Sequence, residues 1–423
     1  MRTITALKYR HRVLALLASM SMLTYLDRVC ISVAGPRLQS DLQLSPHQWG
    51  LATSAFAIAY ALFEIPSGHL ADRFGARAML TRIVVWWSAF TTLTGFVTNL
   101  WSLMAVRFFF GAGEAGAYPT AATSVFRWFP AIERGRAYGV VLLSGQLGAA
   151  VAPLIIVPVQ MHLGWRVSFY LFGGVGILWS ALWWRVYRNR PTEMPGISAA
   201  EAAEIGVDGV LSHTPFPWRS LASHVSVWGL MGSAGAYLFS YSFFLFWLPT
   251  YMVRERGFSE SETKLSALPF LLGAASNLVG GIARDMAVRR CGARWGSRLI
   301  CQSALFTSAV SAAAALFSPN KYVAFAFLAL CYGGITFQQT TVFATCIEIG
   351  RRYAGAVAGC MNTGAALGGL LSSLIFGYLV EGWGNYDGVL IAMAVALGLG
   401  SALWFLIDAS KPLEVPATPS RPN

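Results

Sequence analysis

Five ionisable side chains lie inside long apolar stretches of the sequence. They are Asp27, Arg28, Glu64, Arg107 and Glu114. On insertion scales, a charged group at the centre of a membrane helix costs at least about 2.5 to 3.5 kcal/mol. Groups retained at that cost commonly bind ions, protons or charged substrates, so these five are the first candidates for a functional site. All of them fall in the first half of the chain.

The spacing of these residues places some of them on shared helix faces. Arg107 and Glu114 are seven residues apart, so two helical turns and about 10 Å separate them on one face. The small residues of 111–116 allow a neighbouring helix or a ligand to approach the carboxylate closely. Tyr60 and Glu64 are one turn apart and also share a face.

The charges of Asp27, Arg28, Arg107 and Glu114 sum to zero when all four are ionised, and a cavity of low dielectric constant favours such a neutral set. An organic anion entering this set would leave it with one excess negative charge. Protonating one carboxylate would restore neutrality, which is a physical reason for coupled binding of an anion and a proton. The alternative is a structural ion-pair network that joins two helices.

The amino-acid composition indicates that these ionisable residues lie in a membrane protein. Of 423 residues, 56% are hydrophobic and only 12% are charged, against about 25% in soluble domains. This excludes a typical soluble enzyme and predicts an all-α integral membrane protein with twelve transmembrane helices in two six-helix bundles. The predicted spans are 12–34, 48–70, 79–98, 101–126, 136–160, 167–187, 225–251, 264–286, 297–318, 322–346, 354–379 and 386–408. The predicted domains are 1–187, the central cytoplasmic loop 188–222, 223–410 and the tail 411–423.

The basic residues predict the orientation of these spans, because Lys and Arg favour cytoplasmic loops. Most of the 31 basic residues fall on one side, which places both termini in the cytoplasm. The first span lacks a small-residue cleavage site and is expected to be retained. The opposite side receives only Arg37, Arg166, Arg254, Arg256, Lys264 and Lys321.

Other classes of function lack their sequence signals. The six cysteines show no CxxC or metal-ligand spacing, and the six histidines are isolated, so neither a metal site nor a membrane-embedded enzyme is expected. No phosphate-binding GxxxxGK[ST] loop occurs, so transport is expected to be secondary rather than ATP-driven and to need no cofactor. The proton gradient expected as its driving force follows from the charge balance of the four buried groups. The basic residues do not alternate with aromatic residues as a nucleic-acid groove would need.

The two halves carry matching short motifs. Gly68-x3-Asp72 recurs as Gly281-x3-Asp285, and Gln146-Leu-Gly-Ala-Ala recurs as Asn362-Thr-Gly-Ala-Ala. Two parallel six-helix repeats with a binding site at their interface are one of the plans on which transporters are built.

Several motifs resemble those of a known family. The segment from Gly68 to Arg77, GHLADRFGAR, resembles the loop signature of the major facilitator superfamily. Thr24-Tyr-Leu-Asp-Arg28, Arg107-x6-Glu114 and Trp128-Phe-Pro-x-x-Glu-Arg134 are similar to the anion:cation symporters of that superfamily. The resemblance covers about residues 12–408 and is nearest to bacterial galactonate, glucarate and hexuronate symporters.

The resemblance implies roles for individual residues. It makes Asp27 and Glu114 candidate proton carriers, and it makes Arg28 and Arg107 their counter-charges or the ligands of a substrate carboxylate. Substrate hydrogen bonds are expected from Tyr25, Tyr60, Gln146, Gln338, Thr341 and Asn362. A conformational latch is expected at Gly68, Asp72, Arg73, Gly75, Arg77 and Asp285.

Glu64 departs from the family pattern, in which Gln usually precedes the Ile-Pro-x-Gly sequence that stands here at 65–68. A protonated Glu can replace Gln as a hydrogen-bonding group. Alternatively, Glu64 is a third titratable group that takes part in proton coupling.

The expected function is proton-coupled uptake of a small organic anion, most simply a sugar acid such as a hexonate, hexarate or hexuronate, by alternating access. A monomer in the lipid bilayer of the cell inner membrane is expected. An aromatic or dicarboxylic acid, phthalate-like, remains an alternative, and a drug/proton antiporter is disfavoured by two arginines in the site. The aromatic residues Phe243, Phe244, Phe246 and Trp247 indicate either a less hydrated pocket or a lipid-facing stripe.

Overall fold

The computed structural model describes residues 8–205 and 218–413. Within these ranges the side chains of Ile65, Gly68, His69, Ala71, Asp72, Arg73, Ala131, Ile132, Ala199, Trp218 and Arg352 lie outside the description. The described chain is helical and contains no β-strand. Its α-helices are α1 Tyr9–Asp41, α2 Pro46–Thr94, α3 Leu100–Glu114, α4 Ala117–Trp128, α5 Ala131–Leu163, α6 Trp165–Val186, α7 Ala199–Ile205, α8 Trp218–Ser223, α9 Val225–Phe246, α10 Leu248–Arg254, α11 Ala267–Phe317, α12 Lys321–Phe337, α13 Gln339–Gly350, α14 Ala354–Trp383 and α15 Asp387–Leu403.

Helix covers most of every predicted span, so the all-α architecture is confirmed. The long helices α2 and α11 each contain two predicted spans. In each of them a single glycine with non-helical backbone angles separates the two spans. Gly75 in α2 has φ 78° and Gly292 in α11 has φ 76°, in the left-handed region that favours glycine. Seven helical segments of the described chain are long and apolar enough to cross a membrane by themselves.

The fourth span of each half is discontinuous. In the first half, α3 ends at Glu114, and α4 begins at Ala117 after Gly116, whose φ is 88°. In the second half, α12 ends at Phe337 and α13 begins at Gln339. Discontinuous membrane helices commonly line the binding sites of transporters, because they present backbone groups and helix ends to the ligand.

The glycines of the motif shared by the two halves both lie at close helix contacts. Gly148 of α5 lies against α1 so closely that a Cβ there would come within 2.2 Å of the Met22 carbonyl oxygen. Gly364 of α14 stands at the matching motif position, and a Cβ there would come within 2.2 Å of the Met231 carbonyl oxygen in α9. Glycine is required at both places because the backbones touch.

The chain divides into two compact units that differ from a simple split at the central loop. The first unit contains Met1–Leu211, Leu245–Leu271 and Ser373–Gly384, and the second contains the remainder. Within the first unit, the helix ends that come from the second half pack on α1 and α2. The Trp49 indole donates to the Phe246 carbonyl, and Glu381 accepts hydrogen bonds from the Ser45 hydroxyl and the His47 amide. The predicted boundaries at 187, 222 and 410 stay a prediction.

Helix α7, in the segment between the halves, provides hydrogen-bond acceptors for the backbone amides at the start of α1. The buried Glu201 carboxylate accepts from the backbone amides of Tyr9 (3.1 Å) and Arg10 (3.0 Å). These amides belong to the first turn of α1, which has no partners of its own for them. Glu204 accepts from Lys8 at 2.6 Å and from Arg10 at 2.9 Å. These hydrogen bonds lower the pKa of Glu204, so the attachment is charged at neutral pH and is lost only as pH falls through that lowered value.

We expect Glu201→Ala to destabilise the protein by about 1 kcal/mol, the usual cost of losing a helix cap. The measurement is the thermal unfolding midpoint of the purified protein in detergent. Glu193→Ala is the matched control, because Glu193 lies exposed in the same segment. Equal midpoints for the two variants would contradict the capping role.

Candidate functional site

The centre of the candidate site is an ion pair between α1 and α3. Arg28 Nε donates to Glu114 Oε1 at 2.7 Å, and the two side chains are 13% and 1% exposed. Glu114 is the last residue of α3, so it lies directly before the break at Gly116. The discontinuity therefore places a buried carboxylate at the end of a helix, opposite a guanidinium of the neighbouring helix.

Arg107 is buried and incompletely paired. It is 2% exposed, and its guanidinium carbon lies 5.0 Å from the Phe56 ring centre and 4.6 Å from that of Phe110. Its Nε and Nη2 atoms have no hydrogen-bond partner among the described residues. A buried cation with free donors is costly, so this position is suited to an anionic ligand. Within the same part of the chain, Asp27 Oδ1, Arg28 Nη2 and Glu114 Oε2 are also buried without a hydrogen-bond partner.

The four charges that the sequence singles out lie together in the first unit. Asp27 is 4% exposed and lies within electrostatic range of both Arg107 and Glu114. The structure therefore brings two buried carboxylates and two guanidiniums into one cluster, with a formal charge of zero when all are ionised. Glu64 is half-buried on α2 and interacts electrostatically with Arg28, at the edge of this cluster.

Aromatic rings enclose the Arg28 side chain. The guanidinium carbon lies 4.9 Å from the Tyr60 ring centre, 5.4 Å from that of Phe56 and 5.5 Å from that of Tyr25. Such cation–π contacts hold a guanidinium in place while leaving its N–H groups available for hydrogen bonds. The predicted residues Tyr25 and Tyr60 are therefore beside the cluster.

Two site residues were missed by sequence reasoning. Phe56 contacts both guanidiniums, and Tyr118 lies within electrostatic range of Arg28 and shares a 2.9 Å hydrogen bond with the Ser21 hydroxyl. A signal existed for each of them. Phe56 is one helical turn before Tyr60, and Tyr118 is four residues after Glu114.

Gln146 is 5% exposed on α5. The preceding Gly145 lies so near the Tyr25 ring that a Cβ there would approach it to 2.7 Å. Gln146 is therefore buried next to the position at which α5 packs on α1, and its contact with a substrate stays a prediction.

The predicted residues of the second half lie in the second unit. Gln338, at the break between α12 and α13, is fully buried, and neither its amide oxygen nor its amide nitrogen has a hydrogen-bond partner within the described ranges. Thr341 is also fully buried, whereas Asn362 on α14 is exposed. Their contacts with a substrate stay a prediction.

The aromatic residues that precede and follow Leu245 are not a lipid-facing stripe. Phe243, Phe244, Phe246 and Trp247 are each 5% exposed or less. That alternative is therefore wrong, because side chains buried to this extent do not face lipid.

The predicted latch is described in part. The Arg77 guanidinium donates to the Trp184 carbonyl from Nε (3.0 Å) and Nη2 (2.6 Å), and its backbone amide donates to Asn189. Asp285 is exposed and pairs with Arg284 at 3.4 Å. Glycine is required at Gly75 because of its φ of 78°, and a Cβ there would also displace the Asn189 amide. The side chains of Asp72 and Arg73 and the surroundings of Gly68 lie outside the described residues, and the latch role stays a prediction.

Metal binding has no candidate in the described part of the chain, where no three His, Cys, Asp or Glu side chains cluster. In the four-charge cluster, two of the four groups are guanidiniums, which carry donors but no acceptor for a metal ion. The two guanidiniums can instead donate hydrogen bonds to an anion.

The sequence and the fold both match known transporters. The Major Facilitator Superfamily profile matches residues 17–373. A probable sulfoacetate transporter of Cupriavidus necator is 32% identical over 95% of this chain and 94% of its own length. The D-galactonate transporter of Escherichia coli is 30% identical over 94% of this chain and 95% of its own, and the hexuronate transporter of Bacillus subtilis is 30% identical over 88% of each.

The fold is also that of a solved transporter structure. A bacterial homologue of the human lysosomal transporter Spinster, in an inward-facing and unoccupied conformation, superposes with a TM-score of 0.75 at 20% identity, over 96% of this chain and 98% of its own. That likeness shows the fold, and the sequence matches show the family. The chain is a membrane transporter and not an enzyme, and it belongs to the major facilitator superfamily, in the anion:cation symporter group.

Proposed function

We propose that this protein takes up an organic carboxylate together with a proton by alternating access. The observation that carries the proposal is the buried cluster of Asp27, Arg28, Arg107 and Glu114, whose formal charges cancel and whose polar atoms are only partly paired. A carboxylate that binds the free guanidinium donors adds one negative charge, and a proton on Asp27 or Glu114 removes it. Each ligand therefore lowers the desolvation cost of the other.

The two arginines of the cluster have different roles in this proposal. Arg107 offers the substrate a buried guanidinium that is not committed to another side chain. Arg28 is held by Glu114 and by aromatic rings, so protonation of Glu114 weakens that ion pair and frees Arg28 for the substrate carboxylate. Neutralisation then permits the two halves to rock around the occupied site, and the proton leaves on the cytoplasmic side. We further propose a monomer in the cell inner membrane with both termini in the cytoplasm.

The proposed substrate is a sugar acid such as a hexonate, hexarate or hexuronate. Relatives named as galactonate and hexuronate transporters, which match nearly the whole chain, support this class. The test is uptake of labelled D-galactonate, D-glucarate and D-glucuronate into proteoliposomes with an inward proton gradient. Accumulation that collapses when a protonophore is added supports the proposal, and accumulation that ignores the gradient contradicts proton coupling.

A small dianion is the second candidate. Two arginines in the buried cluster can each take one anionic group, and sulfoacetate carries both a sulfonate and a carboxylate. The 32% identity to a probable sulfoacetate transporter favours this alternative over an aromatic acid. Sulfoacetate and phthalate should be tested in the same uptake assay. A cationic drug should be included as well, and its export in exchange for protons would indicate an antiporter.

Glu64→Gln is expected to lower the number of protons carried per substrate. Glu64 lies half-buried beside Arg28 and can take up a proton as the Arg28–Glu114 pair opens. The measurement is the ratio of substrate flux to proton flux in proteoliposomes. An unchanged ratio shows that Glu64 acts only as a substitute for glutamine.

A further inference from the structure

A polar recess lies in the first unit, away from the buried cluster. Its volume is about 700 Å³, within the range of small-molecule sites, which are commonly about 300 to 1,000 Å³. Its walls are the end of α1, the turn between α5 and α6, the end of α10 and the 3₁₀ turn at Glu260–Ser266. Along α1, Arg37 of the recess is nine residues beyond Arg28, which corresponds to about 14 Å.

The recess gathers arginines on the side of the membrane where basic residues are scarce. Arg37, Arg166 and Arg254 line it, and all three belong to the few basic residues that the sequence places opposite the cytoplasmic loops. Orientation signals require basic residues on the cytoplasmic side, so topology gives no reason for a cluster of arginines here. Their concentration at one recess therefore calls for a local cause.

Two of the arginines already hold carboxylates of the protein. Arg37 binds Glu260 through Nε, at 2.8 Å, and through Nη2, and it also donates to the Gln160 carbonyl. Arg166 lies 3.1 Å from Asp41, whose carboxylate also accepts from the Trp165 indole at 2.7 Å. The recess is thus a place where guanidiniums bind carboxylates, and the protein supplies one fewer carboxylate than guanidinium.

Arg254 is the guanidinium in excess. It is exposed at the end of α10, and it has no hydrogen-bond or ion-pair partner in the described chain. Arg166 is 42% exposed, forms its ion pair with Asp41 through Nη1 and lies over the Trp165 ring, and its other N–H groups have no hydrogen-bond partner among the described residues. The lining therefore carries one excess positive charge and free donors on two arginines.

We propose that this recess is a capture site for carboxylate anions, at which Arg254 and Arg166 hold a substrate carboxylate before it reaches the buried cluster. The proposal rests on the proposed function, because it takes the cargo to be an organic carboxylate. A positively charged recess at the entry side raises the local concentration of anions and the rate at which they associate. Arg37 and Glu260 also line the recess, and an arriving carboxylate can exchange with Glu260 for the Arg37 guanidinium.

The first test measures binding without transport. The purified protein is treated with phenylglyoxal, which modifies accessible arginines, and the modified peptides are quantified by mass spectrometry. D-galactonate is expected to slow modification of Arg254 and Arg166 at least about threefold, as an occupied guanidinium is shielded. D-galactose at the same ionic strength should have no effect. Arg185, exposed at the end of α6, is the control arginine in the same sample.

The labelling outcomes separate the possible occupants. Absence of protection, or equal protection of Arg185, overturns the proposal. Protection by phosphatidylglycerol but not by D-galactonate assigns the recess to lipid headgroups and also overturns it. If D-galactonate protects the arginines but is not transported, the capture site is supported and the proposed substrate is wrong. If D-galactonate is transported without protecting the arginines, the proposed substrate is supported and the capture site is wrong.

The second test is kinetic and uses a variant outside the buried cluster. Arg254→Gln is expected to raise the KM for D-galactonate uptake about fivefold, the size expected for a partly exposed ion pair, with kcat within about twofold of wild type. The difference should shrink at high salt, because screening weakens exposed charges. Arg254→Lys should restore much of the KM, and Arg185→Gln should leave it unchanged. An unaltered KM, or a loss confined to kcat, overturns the proposal.

Discussion

Arg107→Ala is expected to reduce D-galactonate uptake by more than about 100-fold, to the level of empty proteoliposomes. Removing one partner of a buried, desolvated charge contact costs about 2 to 5 kcal/mol, and here it also leaves the two carboxylates of the cluster in excess. The Arg107 guanidinium contacts the rings of Phe56 and Phe110 and has free donors. Arg28, the other cation of the cluster, is already paired with Glu114 and therefore does not replace it. The measurement is initial uptake under an inward proton gradient.

Two further variants make this result interpretable. Arg136→Ala removes an exposed arginine from α5 and should leave uptake unchanged. Arg107→Lys keeps the charge but loses the planar fork that matches a carboxylate, so it should retain only partial activity. Elution as a single symmetric peak shows that each variant is folded. Wild-type uptake by a folded Arg107→Ala protein would contradict the site.

Glu114→Gln should separate proton coupling from substrate movement. The amide has nearly the same shape as the carboxylate and still accepts a hydrogen bond from Arg28, but it does not exchange a proton. The variant is therefore fixed in a neutral state that resembles protonated Glu114. Uphill accumulation under a proton gradient should disappear, while exchange of internal for external substrate at equal pH should continue.

The comparison of the two assays decides the role of Glu114. Glu193→Gln, in the exposed loop segment, is the control and should behave as wild type in both assays. Equal loss of accumulation and exchange would give Glu114 a purely structural role. Normal accumulation by Glu114→Gln would indicate that Asp27, and not Glu114, carries the proton. Asp27→Asn should then lose uphill accumulation and keep exchange.

The buried charges were predictable from the sequence because an ionisable side chain in an apolar stretch is a strong signal. The helical architecture followed from the same stretches, and the glycine motifs located the repeat. Phe56 and Tyr118 carry only a spacing signal relative to Tyr60 and Glu114. This spacing was too weak to assign them to the site, since aromatic residues are common on lipid-facing and interior helix faces alike. Their roles follow from helix rotation, which tertiary packing sets.

Contacts between distant segments were also beyond sequence reasoning. Glu201 caps α1 from a position far along the chain, and its spacing with Tyr9 and Arg10 has no periodic signature. The recess likewise combines parts of α1, the α5–α6 turn and α10. Topology counting had placed its arginines on one side of the membrane, but their gathering depends on the fold.

The glycine contacts at Gly148 and Gly364 have a mechanical consequence. Each joins two helices backbone to backbone, α1 with α5 and α9 with α14, at a separation that leaves no room for a methyl group. Interlocked surfaces of this kind resist shear, because sliding by a fraction of a turn would drive side chains into a neighbouring backbone. Each helix pair should therefore move as a rigid body during the transport cycle. The bending must then occur at other joints, and the helix interruptions at Gly116 and Gln338 are available for it.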